Sequence, residues 1–320
     1  MPAVRERGPD VHRAHGRRTR RIVTAIRPAR NYAGPRRAPW LLAVPAVALL
    51  IVFRFVAPIE GARYAFTNWD GIGPAKWIGL RNFVEIWNSP VTRGAIWNTL
   101  KLAIGSVLVV NAVGLGLALG LNRTVKSRHI LRSLFFLPVV LSPLASAYIW
   151  GYIFDYHGAV NRLLGALGLS SWERPWLGDP HWALWAVFVL VVWQFSGLAM
   201  VIFLAGLQGI PQELDEAAAV DGASSWLRFR RVTLPLLAPA ITISSTLTLI
   251  FGLRIFDQIL ALTSGGPDNA TETLATQVYE QTFENGLFGY GAAIALVLGV
   301  LVTAIVITQL VLLRTREARA

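Results

Sequence analysis

Six runs of apolar residues, near 40–59, 99–121, 133–154, 182–207, 236–261 and 290–313, are each long enough to cross a bilayer. A hydrocarbon core takes about 20 helical residues to span. No water is available there, so every backbone amide needs a partner within the segment, and such runs are read as helices and not strands. The fold class that follows is an all-α integral membrane protein with six transmembrane helices. Composition agrees: 54% of the 320 residues are hydrophobic and 15% charged, too little charge to cover a soluble surface of that size. Pro138 and Pro143 fall inside the third run and predict a kink or broken turn there. The chain has no cysteine, which excludes disulfides, thiolate metal sites and cysteine nucleophiles.

Charge is distributed unevenly. Residues 1–39 hold eleven Arg against Glu6 and Asp10, +9 of the net +12. A basic tail directly before an apolar run reads as a cytoplasmic retention signal beside anionic lipid. The same charge could suit nucleic acid, but no nucleic-acid partner is expected of a tail so placed. No small-residue cleavage site follows the first run, so a cleaved signal peptide is not expected. With the N-terminus inside, cytoplasmic segments carry 21 Lys and Arg and external loops six; the loop 262–289 has none and four acids. Both termini are therefore expected in the cytoplasm. The organisation is a basic cytoplasmic tail (1–39), a six-span domain (40–313) and a short cytoplasmic C-terminus (314–320). Two external stretches show helical spacing: Phe83, Ile86 and Trp87, then Leu274, Val278 and Phe283. Either could meet a soluble partner or pack on the membrane face.

The loop between the fourth and fifth spans, 211–235, is the most informative. Pro211 followed by Glu213, Asp215 and Glu216 is a helix start, since acids favour that end of the helix dipole. Ala217, Ala218 and Ala219 propagate the helix and Gly222 ends it. Ser224 or Ser225 can cap a second helix from Trp226 to Val232, and Pro235 is expected to open the fifth span. The product is a compact helix-turn-helix between spans four and five. Its Arg228, Arg230 and Arg231 would suit DNA, but a short tether between two spans argues against that. A loop lying on lipid and a docking knob for another protein remain as readings.

The spacing Glu216-Ala217-Ala218, Gly222, Val232, Leu234-Pro235 resembles the EAA signature of binding-protein-dependent ABC importer permeases. Trp77-Ile78-Gly79-Leu80-Arg81-Asn82-Phe83, Phe136-Leu137-Pro138, Phe256-Asp257, Leu262-Thr263-Ser264-Gly265-Gly266-Pro267 and Gly289-Tyr290-Gly291-Ala292-Ala293 are similar to the sugar-permease branch, with its maltose- and glycerol-3-phosphate-type subunits. The likeness runs from about Trp40 to Leu313. The first span departs from it, with Pro58 and Ala65-Phe66-Thr67 where members often carry Tyr-Pro and Ser-Phe-Thr. The resemblance implies a multi-pass subunit of the bacterial inner membrane. It implies three kinds of partner besides the lipid bilayer: a second permease, an ATP-binding subunit dimer and an extracytoplasmic solute-binding protein. It assigns ATPase coupling to Glu216 as the charged contact, Ala217 and Ala218 as small residues allowing close approach, and Gly222 as the turn, with Leu234 and Pro235 completing the motif. The chain has no phosphate-binding G-x-x-x-x-G-K-[ST] loop, so it is not expected to be an enzyme. No cofactor is expected on it, ATP and Mg being bound by the partner ATPase.

The solute path is sought among polar residues inside spans. Ionisable groups there cost about 2.5–3.5 kcal/mol on insertion scales and usually face a cavity or partner. Arg54, Lys101, Arg254 and Asp257 qualify, although Lys101 lies near a span end and can snorkel. Arg254 and Asp257 are three apart and are expected to share a helix face, as an ion pair or as solute contacts. Asn111, Gln194, Ser196 and Gln258 offer hydrogen bonds to a sugar, and Trp193 and Phe256 an aromatic face; packing is the plainer role for those aromatics. A secondary transporter driven by an ion gradient is the rival function, with Asp257 the one candidate acid. An intramembrane enzyme lacks both H-E-x-x-H and G-x-S-x-G.

Overall fold

The computed structural model describes residues 38–122 and 126–317; nearly all of the basic tail, Arg123 and the last three residues lie outside them. Ala38–Ile51 form α1, an apolar helix carrying Pro45, within a first unit that ends at Ile51. The second unit starts at Val52 with a π-helical turn, Val52–Val56, holding Arg54, and continues into α2, Ala57–Tyr64.

The short helix α3, Arg81–Asn88, occupies the first stretch of helical spacing seen in the sequence. Asn82 pins it, donating from Nδ2 to the carbonyls of Ala65 (2.8 Å) and Thr67 (2.9 Å). Ile86 is buried with Ala65, Leu274, Ala293 and Ile294, whereas Trp87 stays exposed. The Ile86 face thus packs into the protein itself, which is neither of the two readings of this stretch. Ser89 then caps α4, Pro90–Leu121, accepting from the Thr92 amide at 3.2 Å with Pro90 in the first turn, where a missing N–H costs nothing.

The third apolar run is two helices, α5 (Arg128–Val140) and α6 (Pro143–Phe154), bent by 102° at the break. Pro143 has no N–H to give, and Ser142 caps the new helix by accepting from the Ala145 amide at 3.1 Å. A short helix, α7 (Ala159–Ala166), precedes α8, Ala183–Gln208. The loop after α8 holds α9 (Gln212–Val220), α10 (Ser225–Arg228), a π-helical turn (Phe229–Thr233) and α11 (Leu234–Leu236). Next come α12 (Ala238–Leu253), α13 (Asp257–Leu262), α14 (Leu274–Tyr279) and α15 (Phe288–Glu317).

Among the described residues, four helical stretches are long and apolar enough to cross a membrane: Ala43–Tyr64, Pro90–Leu121, Ala183–Gln208 and Phe288–Thr315. Counting each bent pair, α5 with α6–α7 and α10–α11 with α12, as one span brings the number to as many as six. The core lies along α4 and α8, where Val110, Ala118 and Leu121 meet Met200, Phe203, Leu204 and Leu207. Small residues allow the close approaches. A Cβ on Gly252 would stand 2.7 Å from the Ala103 Cα, and one on Gly197 would run into the Phe135 carbonyl. Where lipid removes the hydrophobic drive between helices, such contacts carry the packing.

Two expectations need correction. The fifth span is not a continuous helix over 236–261: α12 ends at Leu253, and Arg254 and Phe256 have non-helical backbone. The Ile255 carbonyl released by the break accepts from Thr273 Oγ1 at 3.2 Å, so the interruption leaves that group paired. Nor does Pro235 open the span. It lies in α11, before a 69° bend, and Pro239 sits in the first turn of α12.

Candidate functional site

The loop between α8 and α12 folds as a knob. α9 ends in two bonds that fix its last turn: Ala223 N–H donates to the Ala218 carbonyl (3.0 Å) and Gly222 N–H to that of Ala219 (3.1 Å). This six-to-one and five-to-two pattern needs a left-handed residue after the cap, and Gly222 has φ +78°. Ser224 caps α10, its Oγ accepting from the Leu227 amide at 3.4 Å. Arg228 Nε lies 3.3 Å from Asp215 Oδ1, an ion-pair distance without hydrogen-bond alignment, and joins the two helices. The expected second helix to Val232 divides into α10 and the π turn.

The knob's outer surface is unusual for solvent. Val220 is 88% and Trp226 68% exposed, and Leu214 is also open. Glu216 is exposed beside them, its Oε1 accepting from Gln212 Nε2 at 2.9 Å. Ala217 is exposed and Ala218 half-buried. A carboxylate among apolar groups on a capped, rigid turn suits a complementary protein surface better than water.

The polar residues in the spans fall into separate places. Gln194 is 2% exposed, and its Nε2 donates to the Leu141 carbonyl (3.3 Å) and to Ser146 Oγ (3.4 Å). Leu141 is the C-cap of α5, so its carbonyl is one the helix break sets free, and in lipid such a group needs a donor. Gln258 Nε2 donates in turn to Gln194 Oε1 at 3.0 Å. The two glutamines are thus brought together, as a node tying α8 and α13 to the α5–α6 break. Asn111 is apart from them, its Nδ2 donating to Val107 one turn back at 2.7 Å, with Oδ1 unpartnered. Arg254 and Asp257 stand on either side of the α12–α13 break, both exposed. Among the described residues no ion pair joins them, so the shared helix face expected of this pair is not there.

A cavity of 660 Å³ opens between α4, α5, α6 and α8, bordered by Leu134, Pro138, Leu141, Trp150, Trp193 and Ser196 among others. Trp150 and Trp193 meet edge to face, centroids 5.6 Å apart, and the buried Trp150 indole N–H has no partner. The sequence reading named Trp193 and not Trp150, which lines the same cavity. The signal available was the Pro143 break, which turns α6 so that Trp150 reaches Trp193.

The loop between α13 and α14 is laced to α4. Asn98 Nδ2 donates to the carbonyls of Ala270 (2.9 Å) and Glu272 (3.0 Å), and Thr99 Oγ1 accepts from the Leu274 amide at 3.0 Å. The buried Glu272 carboxylate accepts from Thr276 Oγ1 (2.6 Å) and Gln277 Nε2 (3.1 Å). Gly265, at φ +81°, leaves it room, for a Cβ there would collide with Oε1. Burial raises the Glu272 pKa above the ordinary carboxylate value, opposed by those two hydrogen bonds and assisted by Glu280 and Glu284. Between the unfolded and the folded pKa the loop therefore holds a proton that the unfolded chain releases. Stability falls as pH rises from about 4.5, the unfolded value, through the folded pKa. Hydrogen exchange of amides 263–274 is expected to show greater protection at pH 5 than at pH 8, and Glu272→Gln to flatten the dependence.

A family model described as binding-protein-dependent transport system inner membrane component matches residues 112–316. The chain is 34% identical over 284 residues to a probable starch degradation products transport system permease protein of Thermoanaerobacterium thermosulfurigenes, covering 87% of this chain and 94% of that one. It is 35% identical over 279 residues to a multiple sugar-binding transport system permease protein of Streptococcus mutans, covering 87% and 96%. A crystal structure of a bacterial ABC transporter involved in importing the acidic polysaccharide alginate contains a chain that superposes with a TM-score of 0.75. That match has 26% identity and covers 86% of this chain and 96% of the other.

Proposed function

The chain belongs to the family of binding-protein-dependent transport system inner membrane components, and on that premise we propose that it is half of the translocation pore of an ATP-driven carbohydrate importer. The carrying observation is the knob: a helix ended by Gly222 at φ +78° that presents Glu216 beside exposed apolar groups. A separate ATPase pair, holding the ATP and Mg, docks there, with Glu216 as the charged contact and Ala217–Ala218 permitting approach. A second permease completes the pore and an extracytoplasmic binding protein delivers the solute. The names of the relatives, which concern starch products and multiple sugars, support a carbohydrate. Two of the six spans are broken, and the 21-to-6 imbalance of Lys and Arg supports cytoplasmic termini. A sugar ring would lie on the Trp150–Trp193 pair, which meets edge to face. ATPase closure would push the knob and rock the helices between outward- and inward-facing states. Depleting ATP while the proton gradient is clamped is expected to stop uptake. Uptake that persists without ATP and collapses with the gradient would instead establish a secondary transporter.

A further inference from the structure

A second groove, 630 Å³ in volume, lies between α4 and α8 at their external ends, with Phe188 lining both it and the Trp150–Trp193 cavity. Its walls include Trp97, Lys101 and Ile104 from α4, His181 just before α8, Leu184 and Trp185 at the start of α8, and Ala270 of the laced loop. Depth follows from helix length. α4 has 32 residues, about 48 Å at 1.5 Å each, more than the roughly 30 Å hydrocarbon core. Arg123, Lys126 and Arg128 follow its last residue, Leu121, and fix that end at the inner boundary on the orientation proposed above. Counting about 20 residues outward ends the core at Leu102, so Lys101 sits at the outer boundary. Trp97 is 63% and Trp185 59% exposed at the same level, where indoles gather between headgroups and acyl chains. The groove thus has a cation at its polar end, two indoles beside it and apolar walls running inward. His181 is engaged by Asp179, Nδ1 to Oδ1 at 3.2 Å. Lys101 is exposed, with no ion pair among the described residues, which leaves its ammonium as the free positive charge of the site.

We propose that this groove binds one outer-leaflet glycerophospholipid, its phosphate on the Lys101 ammonium and an acyl chain along Ile104 and Leu184. The alternative for Lys101 is snorkelling into bulk water without a ligand. Charge, indoles and an apolar wall at one depth are what a lipid requires; a free phosphate would use only the first.

The test is native mass spectrometry of the purified full-length chain titrated with phosphatidylglycerol. The first retained lipid is expected to bind about fivefold more weakly to Lys101→Gln, the effect of about one interfacial lysine, and with wild-type affinity to Lys101→Arg. Glycerophosphate, the same headgroup without tails, is expected not to displace it. Equal retention by Lys101→Gln and wild type overturns the proposal, and so does displacement by glycerophosphate, which would mark a site for free phosphate. A photoactivatable phosphatidylglycerol gives a reading on the unmutated chain. Adducts within 97–104 and 181–188 support the site, and adducts found only elsewhere overturn it.

Discussion

Gly222→Val is expected to abolish transport and ATPase co-purification while leaving the chain inserted in the membrane, whereas Gly222→Asn is expected to retain both. Nothing stands within 4 Å of where a Cβ on Gly222 would be, so a side chain there meets no neighbour. The cost is in the backbone. At φ +78° a β-branched residue is strained by about 1–2 kcal/mol, while asparagine visits that region readily. Strain of that size cannot unfold a bundle held by α4 and α8. It is enough to open a turn secured by two hydrogen bonds, and the knob then loses the angle between α9 and α10. Glu216→Ala acts on the same interface by another route. If its carboxylate meets a buried cation on the ATPase, removing it leaves that cation unpaired, at about 2–5 kcal/mol, a loss of at least tenfold in association. Uptake and ATPase recovery at matched membrane levels decide the matter. Normal uptake by both Gly222→Val and Glu216→Ala would remove the coupling role from this loop.

The knob was legible because each of its parts is a local signal. A proline-led acidic start, an alanine run, a glycine stop and a serine cap need only neighbouring residues to act. The broken third span was legible for the same reason, since a proline without an N–H interrupts a helix wherever it falls. The α12–α13 break carries no such mark. Ile255 and Phe256 read as ordinary members of an apolar run, Arg254 stands out by its charge and not as a helix stop, and the interruption is supported from outside, by the Thr273 hydroxyl on the Ile255 carbonyl. Hydrogen bonds over long sequence separations are invisible to periodicity. For this reason the helix face expected to be shared by Arg254 and Asp257 is not there, and for this reason the hydrogen bonds of Gln194 to the α5–α6 break were not legible beside its reading as a solute contact.

Gln194 therefore offers the sharper test of what the interior polar residues do. Gln194→Leu removes two donor bonds and strands Gln258 Nε2, the Leu141 carbonyl and the Ser146 hydroxyl away from water. Buried unpaired groups cost about 1–3 kcal/mol each, although hydrogen bonds within bilayers average only about 0.6 kcal/mol, so a loss near 2–3 kcal/mol is expected. Gln258→Leu strands Gln194 Oε1 alone, and about 1 kcal/mol follows on the same scale. The double variant leaves no orphaned glutamine partner, so its loss is expected to fall short of the sum of the singles by about 1 kcal/mol, the coupling shown by directly bonded residues. Thermal unfolding in nanodiscs measures this, and uptake kinetics separate stability from recognition. A positioning role predicts fewer active transporters, with a lower maximal rate and an unchanged KM. Solute contact predicts a raised KM in each single variant and losses that add in the double, and that outcome would return Gln194 and Gln258 to the path of the sugar.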